Sequence, residues 1–278
     1  MLVAGLLFAI MGVFVKFAAS QFSSAELVFY RSLFGLVAIY WVIRRRHPQL
    51  AQAFATRHWL AHAVRGGSGF VALLLFFHAI ATLPLATAVT LNYTSPLFLA
   101  LLLTVWHGEK PHWPLLAGVG LGFCGVILLL RPSFQGDQLA AGLMGLASGF
   151  LAGVAYLNVR QLSRLGEPDW RIVFYFTLVS TLGAGVWVGL DGWHVPDWRA
   201  TGLLLGLGAS ATLAQLALTR AYRLGNALTV GSLAYSTVVF ASLFGVLLWN
   251  EMLPLQAWLG MALILASGLV SVRAVGAK

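Results

Sequence analysis

Residues 79–109 read AIATLPLATAVTLNYTSPLFLALLLTVWHGE, and residues 221–251 read AYRLGNALTVGSLAYSTVVFASLFGVLLWNE. The two stretches register without a gap at an offset of 142 positions. Tyr93 meets Tyr235, Phe98 meets Phe240, Thr87 meets Thr229 and Glu109 meets Glu251. Thr94/Ser236 and Ser95/Thr237 exchange one hydroxyl for another. The register extends back through Gly66/Gly208 and forward through Gly118/Gly260. Leu and Ala identities arise by chance in any apolar sequence; a Tyr pair and a closing Glu pair in one register do not. The pattern reads as an internal duplication.

The composition around it is that of a membrane protein. Of 278 residues, 60% are hydrophobic and 9% charged, against about 25% charged in a soluble domain. Mean hydropathy is +0.87. A helix needs about 20 mostly apolar residues to cross the hydrocarbon core. Apolar runs between charged or Pro/Gly-rich breaks predict ten such spans: 2–20, 25–43, 59–81, 86–106, 114–130, 139–160, 170–190, 200–221, 227–249 and 255–272. The first has no basic residues ahead of it, so it reads as a helix and not as a signal peptide. The expected fold is an all-α integral membrane protein with ten transmembrane helices. They form two repeats, over 1–132 and 138–278.

The formal charge of +9 would suggest nucleic acid in a soluble chain. Here the cations sit between apolar runs and report topology, so no nucleic-acid partner is expected. Arg44, Arg45, Arg46 and Arg57 follow the second span, Lys110 the fourth, Arg160 and Arg164 the sixth, and Arg220 and Arg223 the eighth. The alternate loops hold only Arg131 and Arg199. The positive-inside rule then places both termini in the cytoplasm, and the expected location is a plasma (inner) membrane. Eight of the tryptophans, Trp59 and Trp249 among them, fall near span ends as an aromatic belt does. Five spans per repeat is an odd number, so the second repeat enters the membrane inverted. Inverted repeats mark secondary transporters, with the substrate site near the midplane between the halves.

The chain resembles the drug/metabolite transporter superfamily, in its ten-helix EamA type. The resemblance rests on Tyr93-Thr94-Ser95-Pro96 in a fourth helix that closes on Gly108-Glu109. The second copy departs from it, with Val238 for the proline and Asn250 for the glycine. Within the superfamily it is similar to the YddG-type amino-acid exporters. The resemblance implies a central cavity lined by the first, third, fourth, sixth, eighth and ninth helices.

Polar residues inside a membrane are costly and start as functional candidates. The expected substrate contacts are Lys16, His78, Asn92, Tyr93, Tyr156, Asn158, Gln215, Tyr235 and Ser236. Interhelical hydrogen bonding is the plainer role for any one of them. Lys16 and His78 both approach the predicted outer side and together suit a carboxylate. Tyr93 and Tyr235 are expected to face the cavity from opposite halves. Arg31 and Arg65 lie within about two turns of helix ends, where snorkelling to the interface is the simpler reading. Pro96 should kink the fourth span and is the candidate hinge. Gly145, Gly149 and Gly153 form a ladder suited to close helix packing.

His58 and His62 have metal-ligand spacing but no third ligand, so no metal or cofactor is expected. No nucleophile motif or phosphate loop argues for an enzyme. A membrane-embedded lipid-modifying enzyme is the alternative from another class, and it would need a reactive cluster at one depth. The expected function is transport of small amphipathic metabolites; that it is export, and of amino acids in the first place, aromatic ones included, is what the resemblance implies. Other metabolites or drugs are the alternative cargo. All eight acids lie at or beyond span ends, so transport without an obligatory proton is expected. If a proton couples, His78 is the group whose ordinary pKa suits it. The sequence leaves the oligomeric state open, a monomer included.

Overall fold

The computed structural model describes residues 1–46, 50–106, 137–225 and 233–276, with isolated positions at 117, 120–122, 124–125, 127–128 and 230. Most of the predicted fifth span, Gly108, Glu109, Lys110, Arg131 and Ser232 lie outside the described residues. Every described element is a helix. They are α1 Leu2–Ala18, α2 Ser24–Arg46, α3 Leu50–Phe54, α4 Trp59–Thr82, α5 Leu85–Asn92, α6 Ser95–Trp106, α7 Asp137–Arg164, α8 Asp169–Asp191, α9 Trp198–Leu224, α10 Ser236–Trp249 and α11 Leu255–Gly276. Six spans are long and apolar enough to cross a membrane, counting Leu85–Leu103 across the break between α5 and α6. Three shorter apolar helices accompany them.

Lipid tails are as apolar as leucine, so fit and polar contacts hold such helices together. Glycines supply the fit. A Cβ on Gly66 of α4 would lie 2.8 Å from Val179 of α8, and one on Gly208 of α9 would lie 2.5 Å from Phe34 of α2. These two glycines match in the 142-residue register, and both let helices approach closely.

The dominant contacts cross between the first and second halves of the chain: α4 with α7, α1 with α9, α2 with α8, α4 with α8, α2 with α9, α6 with α7 and α1 with α10. Among the described residues the core therefore lies mainly between the halves.

Both ends of the bundle are tied by polar groups. At the predicted outer end, Ser23 and Glu26 form a capping box: each backbone N–H donates to the other's side chain, at 2.8 and 3.3 Å. Glu26 also accepts the His194 backbone N–H at 2.8 Å, which anchors the turn before α9. At the predicted cytoplasmic end, Glu167 accepts from Thr56 Oγ1 at 2.5 Å and from Arg171 Nη1 at 2.9 Å. Arg223 donates to the Glu167 carbonyl and pairs with Asp169 at 2.6 Å.

Burial pushes the Glu167 carboxyl up, but hydrogen bonds from Thr56 and Arg171 and the nearby cations outweigh it, so its pKa lies below the ordinary carboxylate value. A depressed carboxyl stabilises the fold above its unfolded pKa and loses that contribution as pH falls through the folded one. Glu167→Gln should therefore lower the melting temperature most near neutral pH. The gap to the parent protein should close below about pH 4. A gap of constant size across a pH series would remove this role for Glu167.

Candidate functional site

The fourth predicted span is two helices. α5 ends at Asn92, Tyr93 turns out of the helix (φ −79°, ψ 13°), and α6 begins at Ser95. Pro96 has no N–H to return to the Asn92 carbonyl, which explains the break just before it. Beside the break the Thr94 hydroxyl donates to the Leu91 carbonyl at 2.7 Å. The glycine ladder of α7 packs along this break. A Cβ on Gly149 would meet the Leu91 carbonyl at 2.7 Å, and one on Gly153 would meet the Ser95 carbonyl at 3.1 Å. The expected kink is thus an interruption, held against a helix face with no side chains. In the second half the chain also turns at Tyr235, ahead of α10, without a proline.

A cavity of about 60 Å³ lies beside the break. Its wall takes Phe8 and Met11 from α1, Phe76 from α4 and Tyr156 from α7, with Asn92 and Tyr93 from the break itself. Gln215 of α9 and Thr237 of α10 close it from the second half. Two further contributors come from helices that the resemblance leaves out: Arg31 of α2 and Phe176 of α8. Arg65 of α4 completes the group. Arg31 is 3% exposed and Arg65 2%. The Arg65 guanidinium carbon lies 4.1 Å from the centre of the Phe176 ring, and that of Arg31 lies 5.3 Å from the same centre. Such stacking is worth about 2 kcal/mol when desolvated. Gly69 makes room: a Cβ there would touch Arg65 and lie 2.9 Å from Phe176.

The predicted site residues divide. Asn92, Tyr93, Tyr156 and Gln215 stand together in this wall. Asn92 donates to Ser148 at 2.9 Å, and Tyr156 stacks on Tyr222 with ring centres 5.7 Å apart. The other five stand elsewhere. Asn158 donates to the Val154 carbonyl of its own helix at 2.9 Å, and Ser236 donates to the Leu233 carbonyl at 2.7 Å. Tyr235 is buried in the core outside the cavity wall.

His78 is on the exposed side of α4, and neither it nor Lys16 is part of the cavity wall. Lys16 instead pairs with Glu251 and donates to the Leu83 carbonyl at 3.0 Å. Glu251 also accepts the Leu85 N–H at 2.9 Å. The carboxylate that Lys16 holds is the protein's own. His62 is buried, with Nε2 3.7 Å from Glu167, and no group of three metal-ligating side chains gathers among the described residues.

A break in a helix, lined by polar side chains and set between two halves of a bundle, is how carriers build a site. The comparison with known proteins agrees. The model of the EamA-like transporter family matches residues 1–131 and 139–273. The chain belongs to the EamA-like transporter family. An uncharacterized transporter of Helicobacter pylori J99 is 32% identical over 97% of this chain and 92% of its own length. The pseudopaline exporter of Pseudomonas aeruginosa PAO1 is 33% identical over 89% of this chain and 86% of its own. A riboflavin transporter of Vibrio cholerae is 26% identical over 96% and 89%. A solved crystal structure, 20% identical, superposes with a TM-score of 0.73 over 96% of this chain and 94% of its own. That likeness concerns the fold alone.

In this EamA-like transporter the cavity residues that sequence reasoning missed include Arg31 and Arg65. They do not snorkel; both are buried at the cavity. The signal was available in the phase of α4. Arg65, Gly69, Ala72 and Phe76 recur at helical spacing on one buried face, while Trp59, Val64 and Val71 mark the exposed face. A small-residue face in a membrane helix is a packed face, and Arg65 lies on it.

Proposed function

We propose that this protein exports small amphipathic metabolites, amino acids in the first place, by alternating access through the cavity at the Tyr93 break. The observation that carries the reading is that cavity, with aromatic walls and amides at a helix interruption between the two halves. Its 60 Å³ holds a few waters and is far below the roughly 300 Å³ of a typical ligand pocket. Substrate therefore enters when one end of the bundle opens.

The neighbour pattern supports two inverted repeats of five spans, over 1–132 and 138–278. Under the duplication, α1 corresponds to α7, α2 to α8, α4 to α9, and α5 with α6 to α10. The contacts then come in matched pairs: α4 with α7 answers α1 with α9, α6 with α7 answers α1 with α10, and α4 with α8 answers α2 with α9. A two-fold axis in the membrane plane produces such pairing. On this reading both termini are cytoplasmic, the Lys16–Glu251 end faces out and the Glu167 end faces in.

Coupling without an obligatory proton fits the cavity, whose described lining holds no Asp, Glu or His. Purified protein in liposomes, with no pH gradient and no voltage, should take up labelled amino acids saturably. Uptake that strictly requires an imposed proton gradient would overturn the coupling; no uptake of any amino acid would overturn the substrate class. Export of other metabolites is the second reading. It is favoured by a relative at 33% identity that is named as a pseudopaline exporter.

A further inference from the structure

We infer that the cavity selects a net-anionic substrate, a small organic acid whose carboxylate is received between Arg31 and Arg65. This rests on the exporter reading and narrows its amino acids to those with a carboxylate in excess, such as glutamate, alongside other organic anions.

The two guanidinium groups share the Phe176 ring, and no acid faces them from the described lining of the cavity. Three of their donor atoms are unused. Nε and Nη1 of Arg31 and Nε of Arg65 are buried without a hydrogen-bond partner. Gln215 Nε2, in the same wall, is also buried and unpartnered. Each of these atoms can donate a proton. A cluster of orphan donors around two cations is complementary to an oxyanion.

A structural role leaves a different signature, and the same protein displays it. Arg171 and Arg223, at the predicted cytoplasmic end, are paired with Glu167 and Asp169 and bonded to carbonyls. A buried arginine kept only for packing needs such partners, because an unpaired buried charge is costly. Here two like charges face one space, which raises the cost further. The missing negative charge has to arrive with the cargo.

The same geometry disfavours a plain zwitterion. An α-ammonium group would enter beside two fixed cations with no carboxylate to receive it, a repulsive element of the kind that sets specificity. Phe8, Phe76 and Val89 supply an apolar remainder to the wall. The matching ligand has a carboxylate head, or one carboxylate more than its ammonium groups balance, on an apolar or flat body. The planar fork of arginine suits a carboxylate bidentately, which a lysine would not.

The test uses the purified full chain in detergent, with phenylpyruvate and glutamate as anionic probes, phenyl phosphate as the other oxyanion and phenylalaninol as the analogue without a carboxylate. At least one carboxylate should raise the melting temperature by roughly 5 °C at about 100 times its Kd. Phenylalaninol should not, and Arg31→Gln or Arg65→Gln should erase the rise. If a glutamine variant does not fold, Arg65→Lys keeps the charge and should retain a weakened response. Silence of both carboxylates overturns the inference, as does equal stabilisation by phenylalaninol, response to phenyl phosphate alone, or an undiminished response in the variants. Saturable uptake of phenylalanine that neither acid inhibits would leave the exporter standing and overturn this inference alone.

Discussion

Gly149→Leu should abolish folding, and Gly149→Ala should cost about 1–3 kcal/mol, as overpacking does. The position has no give. Its Cβ would meet the carbonyls of Leu91 and Asn92 at 2.7 and 3.0 Å, as well as the Thr94 hydroxyl. Backbone cannot rotate away as a side chain can, so α7 must move off the break. Because Asn92 and Tyr93 belong to the cavity wall, the displacement should remove transport before it removes the fold. Gly67→Ala is the matched control. Nothing lies within 4 Å of a Cβ there, and alanine stabilises a helix by about 0.5–1 kcal/mol over glycine. Melting curves and uptake for the three variants decide it; indifference to Gly149→Ala would show that the break is not held by this contact.

Lys16→Met should loosen the predicted outer end. The Lys16 and Glu251 side chains are only 16% and 9% exposed, and stripping one partner from a buried pair costs about 3–5 kcal/mol. Even 3 kcal/mol is more than a hundredfold in an equilibrium. The pair joins α1 to Glu251, two residues beyond α10, and to the turn at Leu83 and Leu85, so its loss should favour opening on that side. In a Cys124→Ala background, Ala72→Cys places a thiol in the cavity wall. An impermeant reagent added to intact cells should label it on the order of a hundredfold faster in Lys16→Met. Labelling only from the cytoplasmic side would reverse the orientation. The double variant Lys16→Met/Glu251→Gln, with no orphan charge, should recover stability while keeping the end loose.

Most of the fold was legible. Nine of the ten predicted spans correspond to described helices, because apolar length and charged breaks carry that information directly. Their ends moved by a few residues, as at α7 and α9, where amphipathic turns extend past the apolar window. The break at Tyr93 was half legible: Pro96 announced a disturbance, and the facing glycine ladder turned it into an interruption. The site was less so. Asn92, Tyr93, Tyr156 and Gln215 gather at one cavity because each lies on an inward helix face. Lys16 was expected, with His78, to hold a carboxylate of the substrate; in the structure it pairs with Glu251, distant in sequence and drawn near by the packing of α1 on α10. Arg31 and Arg65 were misjudged by distance from helix ends, where the phase of the helix was decisive.

The interleaving of the halves has a consequence for how the protein is made. α1 packs mainly on α9 and α10, which are encoded at the far end of the message. A ribosome delivers domains in order, and a self-sufficient first domain can fold while the rest is synthesised. Among the described residues, the helices of the first half find most of their contacts on α7 to α10, which are inserted later. Until then Lys16 has no Glu251, and the glycine faces of α4 lie against lipid or the insertion machinery. The nascent chain is thus obliged to wait, and a truncated product would be recognisable to membrane proteases by its unmet charges. Two halves expressed as separate chains would have to find each other before either became stable.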